Sequence, residues 1–83
     1  MLEFRYDTQL LIEGEGLDEE AINEYIRANF KGDSLLAVGD EEVVKIHFHT
    51  NEPWKVLEYC ASVGSIYDIV IEDMERQAQG LQG

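Results

Sequence analysis

Cysteine and proline each occur once in this chain, as Cys60 and Pro53. A single cysteine excludes an internal disulfide, and with it the disulfide-stapled class of small scaffold. Basic residues are also scarce: six Lys and Arg stand against eighteen Asp and Glu, for a formal net charge of −12. Such a surface repels phosphate backbones, and no Lys/Arg cluster offsets it, so neither nucleic acid nor anionic lipid is an expected partner. No apolar run approaches the roughly 20 residues that cross a bilayer. The N-terminus also lacks the basic-then-apolar order of a secretory leader. The expectation is a cytoplasmic protein with no membrane insertion.

What the chain does have is enough apolar residue for one core. Its 83 residues are 45% hydrophobic and 29% charged, a globular balance. A chain of this length buries only about 60–65% of the surface its unfolded form exposes, so a thin stability margin is expected. One domain is expected over residues 1–83, with its core at 3–73 and a polar C-terminal tail at 74–83.

Hydrophobic periodicity divides the chain into six elements. From Phe4 to Ile12, residues Phe4, Tyr6, Thr8, Leu10 and Ile12 share one face and Arg5, Asp7, Gln9 and Leu11 the other, which predicts a half-buried strand. Asp18 is then the expected N-cap of a helix, with Glu19 and Glu20 at the positive end of its dipole. Leu17 and Ile22 are spaced as a hydrophobic staple, and Ala21, Ile22, Tyr25, Ile26 and Phe30 form its apolar stripe. Ser34 to Val38 and Val43 to Thr50 read as strands joined by a turn at Gly39-Asp40-Glu41-Glu42. Pro53 suits the first turn of a second helix, whose stripe is Val56, Leu57, Cys60, Ala61 and Val63, with Gly64 at its C′ position. Ile66 to Ile71 is the last strand. The order βαββαβ with right-handed crossovers predicts an α+β, ferredoxin-like fold: a four-stranded antiparallel sheet in order 4-1-3-2, with two helices on one face.

Both histidines of the chain, His47 and His49, fall on the third strand two residues apart, so their side chains share a face. Val44, Ile46 and Phe48 form the apolar set that should meet the helices, which leaves Val43, Lys45, His47 and His49 on the open face of the sheet. The first strand is the neighbour and contributes Asp7 to the same face, within side-chain reach of both imidazoles. Two imidazoles and a carboxylate with an open position are a transition-metal ligand set. Alternatively, the two histidines belong to a merely solvated polar face, or to an anion site that Arg5 and Lys45 would complete. On the last strand Ile69 and Ile71 are expected inward and Ile66, Asp68 and Val70 outward, which makes Asp68 a second candidate carboxylate. Leu11, Val43, Ile66 and Val70 are the expected apolar residues of the open face, where a second copy could pair.

Other residues have plainer readings. Cys60 lies on an apolar stripe and is expected to be a buried structural thiol. Trp54 and Tyr59 are expected to pack in the core or at its edge, an exposed Trp54 instead marking a partner surface. Glu13-Gly14-Glu15-Gly16 lacks the Lys and Ser of a phosphate loop, so no nucleotide site is expected.

Several segments together resemble the middle domain of the catalytic component of bacterial fatty-acid kinase, in the dihydroxyacetone-kinase-like family. They are Leu17-Asp18-Glu19-Glu20-Ala21, Gly32-Asp33-Ser34-Leu35, Val38-Gly39-Asp40-Glu41, Val44 to Asn51, Lys55-Val56-Leu57-Glu58-Tyr59 and Ile69-Val70-Ile71-Glu72-Asp73-Met74. In that family a nucleotide-binding kinase domain precedes this one and a domain similar to fatty-acid-binding proteins follows, and the whole enzyme phosphorylates a fatty acid carried by a separate protein. The resemblance implies a role in dimer contacts and a Cys/His/His metal set, with zinc as the candidate ion, whose histidines map onto His47 and His49. The family's cysteine falls at Asp7, and its glycine after the helix-start proline is Trp54 here. The implied role is an accessory or dimerisation module, with no kinase activity by itself, acting as a homodimer or beside a kinase-domain or fatty-acid-binding partner. Two other roles stand beside it: a small metal-dependent or phosphoryl-transfer catalyst with His47 and His49 as catalytic groups, and a ligand-sensing ferredoxin-like domain.

Overall fold

Asp18 closes the first loop and starts the first helix, its side chain accepting a hydrogen bond from the Ala21 backbone N–H at 3.0 Å. In this computed structural model, which describes residues 2–83, that helix is one of seven elements. They are β1 (Tyr6–Glu13), α1 (Glu19–Asn29), β2 (Gly32–Gly39), β3 (Val43–Thr50), α2 (Pro53–Val63), β4 (Ser65–Asp73) and α3 (Met74–Ala78). Leu17 and Ile22 are both buried in the core, as a staple requires. The turn between β2 and β3 is held by Asp40, whose carboxylate accepts from the backbone N–H groups of Glu42 and Val43 at 2.8 and 2.9 Å. Those two bonds hold its carboxyl below the ordinary aspartate range.

The sheet is antiparallel, in order β2-β3-β1-β4. This is the expected α+β order read from the other edge. Thr8, Leu10 and Ile12 of β1 and Val44, Ile46 and Phe48 of β3 are buried beneath Ile22 and Ile26 of α1 and Val56 and Cys60 of α2. α1 lies chiefly over β2, and α2 over β1 and β4.

Four local expectations change. β2 begins at Gly32, two residues earlier than the apolar run suggests. Gly64 ends α2 in extended backbone (φ −170°), not in a left-handed C′ turn. Glycine is needed there because a Cβ would sit 2.5 Å from the Glu13 carbonyl oxygen. The polar segment after Glu72 forms the short helix α3, because the Asp73 carboxylate accepts from the N–H groups of Glu75 and Arg76. The Arg5 guanidinium grips that same carboxylate, at 2.9 Å from Nε and 2.7 Å from Nη2, tying the start of β1 to the end of β4.

The fourth change concerns β4. Its pairing with β1 shifts between Gln9 and Leu11, and Asp68 takes a left-handed φ of 50°. One extra residue there reverses the alternation. Ile66, opposite Ile12, therefore packs against the core and not on the open face, while Ile69 and Ile71 are exposed. Tyr67, opposite Leu11, takes the open-face position expected of Ile66.

Candidate metal centre

β1 and β3 pair without interruption from Tyr6↔Thr50 to Glu13↔Val43, so the parity of each strand carries across to the other. Asp7 stands directly opposite His49, and Gln9 opposite His47. The inward alternates Thr8 and Phe48 are locked in the core, which fixes the outward direction of all four.

Asp7 Oδ1 is 3.1 Å from His47 Nε2 and 3.8 Å from His49 Nε2, and the two Nε2 atoms are 3.1 Å apart. All three side chains are partly buried. A tetrahedral ion with bonds of about 2.0–2.1 Å separates its ligand atoms by about 3.3 Å. The triangle seen here has the size of one face of that tetrahedron. The donor set, two imidazole nitrogens and a carboxylate oxygen, suits zinc and the other borderline divalent metals, with a harder character than a thiolate site. The residues therefore fit a metal ion. Gln9 Nε2 lies 3.4 Å from Asp7 Oδ1, a weak donor on the acid's other side.

The site is acidic beyond the triad. Glu72 of β4 is paired with Asp7, and Asp33 of β2 with His49, so one row across the open face reads Glu72, Asp7, His49, Asp33. Asp33 Oδ1 is 3.5 Å from His49 Nδ1. This disfavours the anion reading. Arg5, which it required, is engaged with Asp73, and Lys45 stands between Leu11 and Val38, two positions along β3 from His47. Asp68 is not gathered with the triad; it lines a shallow hollow with Gln9, Leu11, Lys45 and Val70. The carboxylate beside the imidazoles is Asp33 instead. A sequence signal for it exists in Gly32-Asp33-Ser34, turn-type residues inside a strand, which mark a bulge.

Elsewhere, Cys60 is fully buried and burial pushes its thiol up to about 12, as a structural cysteine requires. Tyr59 stacks on Tyr25 with ring centroids 3.9 Å apart, while Trp54 is 59% exposed and packs in no core. No helix is long and apolar enough to cross a membrane among the described residues.

An uncharacterized protein of Staphylococcus aureus (strain USA300) is 46% identical to this chain over 46 residues, which is 55% of this chain and 8% of that protein. Uncharacterized proteins of strains NCTC 8325 / PS 47 and bovine RF122 / ET3-1 match to the same extent. The matched stretch thus spans less than a tenth of the length of these relatives. A family match covers almost everything, from residue 3 to residue 81. The sheet order, the paired histidines and this match agree: the chain belongs to the family of FakA-like middle domains, the middle domain of fatty acid kinase.

Proposed function

We propose that this chain is an accessory and dimerisation module of a fatty-acid kinase, without kinase activity by itself, and that Asp7, His47 and His49 hold a divalent transition metal, zinc first among them. The observation that carries the metal reading is the triangle of ligand atoms, all within 4.8 Å of one another, built on two uninterrupted central strands. Family membership supports the accessory role and a kinase-complex partner. A metal here would cross-link β1 to β3 and stabilise the module in proportion to its affinity.

The test is zinc titration of the metal-free 83-residue chain by calorimetry, with thermal unfolding alongside. Saturable binding at one equivalent and a raised Tm are expected, both lost in His49→Ala. A chain that binds no zinc, and whose Tm zinc leaves unchanged, rejects the metal site.

The pairing surface is the open face. Leu11 and Val43 are half-buried there, Val70 is exposed, and Leu36, Val38 and Tyr67 join them in place of Ile66. A second copy of this chain is the proposed occupant. Because each copy carries −12, association should tighten as salt screens the repulsion. Sedimentation at micromolar concentration tests it, and a monomer at both low and high salt rejects it.

A further inference from the structure

β2 runs in regular register with β3 from Gly39↔Val44 to Leu36↔His47, then shifts before Asp33↔His49. A regular continuation from Leu36 would put Ser34 opposite His49 and turn Asp33 to the other face of the sheet. Ser34 instead takes a left-handed φ of 56°, and Ser34 and Leu35 together span the single residue Phe48. The extra residue exchanges a hydroxyl for a carboxylate beside the imidazole.

The His49 ring is thereby held from both sides. Its Nε2 faces the triad, 3.1 Å from His47 Nε2 and 3.8 Å from Asp7. Its Nδ1 faces Asp33 Oδ1 at 3.5 Å, an ion-pair distance that a small side-chain rotation closes to a hydrogen bond. A neutral imidazole carries one N–H. With that proton on Nδ1 and directed to a carboxylate, the Nε2 lone pair points at the triad, the state a metal-binding histidine needs. His47 has no comparable partner for its Nδ1 among the described residues.

We propose that Asp33 is a positioning residue for the Asp7–His47–His49 centre: it accepts the Nδ1–H of His49, fixes that tautomer and orients the ring, and the β2 bulge exists in this chain to bring it there. The proposal rests on the metal reading for its affinity consequence, but the tautomer consequence holds in the metal-free chain.

The experiment compares the whole chain with Asp33→Ala, Asp33→Asn and Glu72→Gln. Asp33 is largely exposed on an edge strand, so its variants should keep the fold, checked by amide NMR spectra. Glu72→Gln removes one charge from the same row without touching a histidine. In the metal-free state, ring nitrogen shifts should report His49 as the Nδ1–H tautomer in the wild type and in Glu72→Gln, and a shift toward Nε2–H in Asp33→Ala. Zinc affinity should fall about 10–100-fold in Asp33→Ala, less in Asp33→Asn, whose amide oxygen still accepts the N–H, and least in Glu72→Gln. Equal losses in Asp33→Asn and Glu72→Gln would mean that charge alone matters and would overturn the proposal, as would a His49 tautomer indifferent to Asp33→Ala. If the wild type binds no zinc yet its His49 tautomer depends on Asp33, the metal reading fails and the positioning role stands.

Discussion

β1 and β3 run through the middle of the sheet in unbroken register, whereas β2 and β4, the two edges, each contain one residue in left-handed backbone, Ser34 and Asp68. A central strand has its N–H and C=O groups claimed on both sides, so an extra residue would disturb two ladders. An edge strand has one ladder to disturb and a free side into which to bend. Residue faces are therefore fixed by alternation in the centre and by the bulge at the edges. The candidate site uses both: its proposed ligands stand on the central pair, and its additional carboxylate, Asp33, is delivered by an edge.

The largest expected contrast between centre and edge is in packing. Ile46 of β3 is wholly buried, whereas Ile69 of β4 is 44% exposed. Ile46→Ala should destabilise by about 2–5 kcal/mol through lost burial and a residual cavity. Ile69→Ala should change stability by less than about 1 kcal/mol. Urea unfolding of both variants checks the pair. Similar losses would mean that the edge is as well packed as the centre.

A second contrast turns on sign. Valine in a regular strand is favourable, so Asp68→Val would stabilise a regular β4. With φ at 50°, a β-branched side chain meets left-handed backbone, and the variant should lose about 1–2 kcal/mol. A variant more stable than wild type by the same unfolding measurement would show that β4 carries no bulge.

The same division explains what could be read from the sequence. The element order, the sheet order and the Asp7–His47–His49 face all follow from alternation in β1 and β3. Thr8 falling inward, Asp7 outward and the two histidines together require only that neither strand skip a residue, and neither does. Ile66, Ile69 and Asp68 were displaced because a single added residue inverts every later position, and hydrophobic alternation is insensitive to where it enters. Asp33 was hidden in the same way. Counted in regular register it faces the wrong side, and only the cluster Gly32-Asp33-Ser34 signals that the register is broken there. The Gly32 position has a second constraint that no pattern reveals: a Cβ there would collide with the His49 carbonyl oxygen and the Phe48 ring.

Smaller effects sharpen the comparison within the central pair. Thr8 is fully buried on β1, and its Oγ1 has no hydrogen-bond partner among the described residues. Valine has the same shape without the hydroxyl, so Thr8→Val should gain about 1 kcal/mol, the reverse of the usual effect of a core substitution. Thermal unfolding decides it. A loss would mean that the hydroxyl is satisfied in solution.

The smallest effect lies where centre meets edge, at Tyr6↔Asp73. The Arg5 guanidinium, followed by the N–H groups of α3, holds the Asp73 carboxyl below the ordinary aspartate range. A carboxylate whose folded value is depressed stabilises the fold at pH above its unfolded value, near 3.9 in model peptides. That contribution is lost as pH falls through the lower folded value. Asn at this position keeps the cap of α3 but not the charge. Tm should therefore be lower in Asp73→Asn than in wild type at neutral pH, by a margin limited by the exposure of Arg5 to solvent. The two curves should converge as the solution is acidified below the ordinary carboxylate range. A gap of constant size across that range would assign the effect to packing and not to the ion pair, leaving the junction of β1 and β4 held by its backbone hydrogen bond from Met74 N–H to the Arg5 carbonyl.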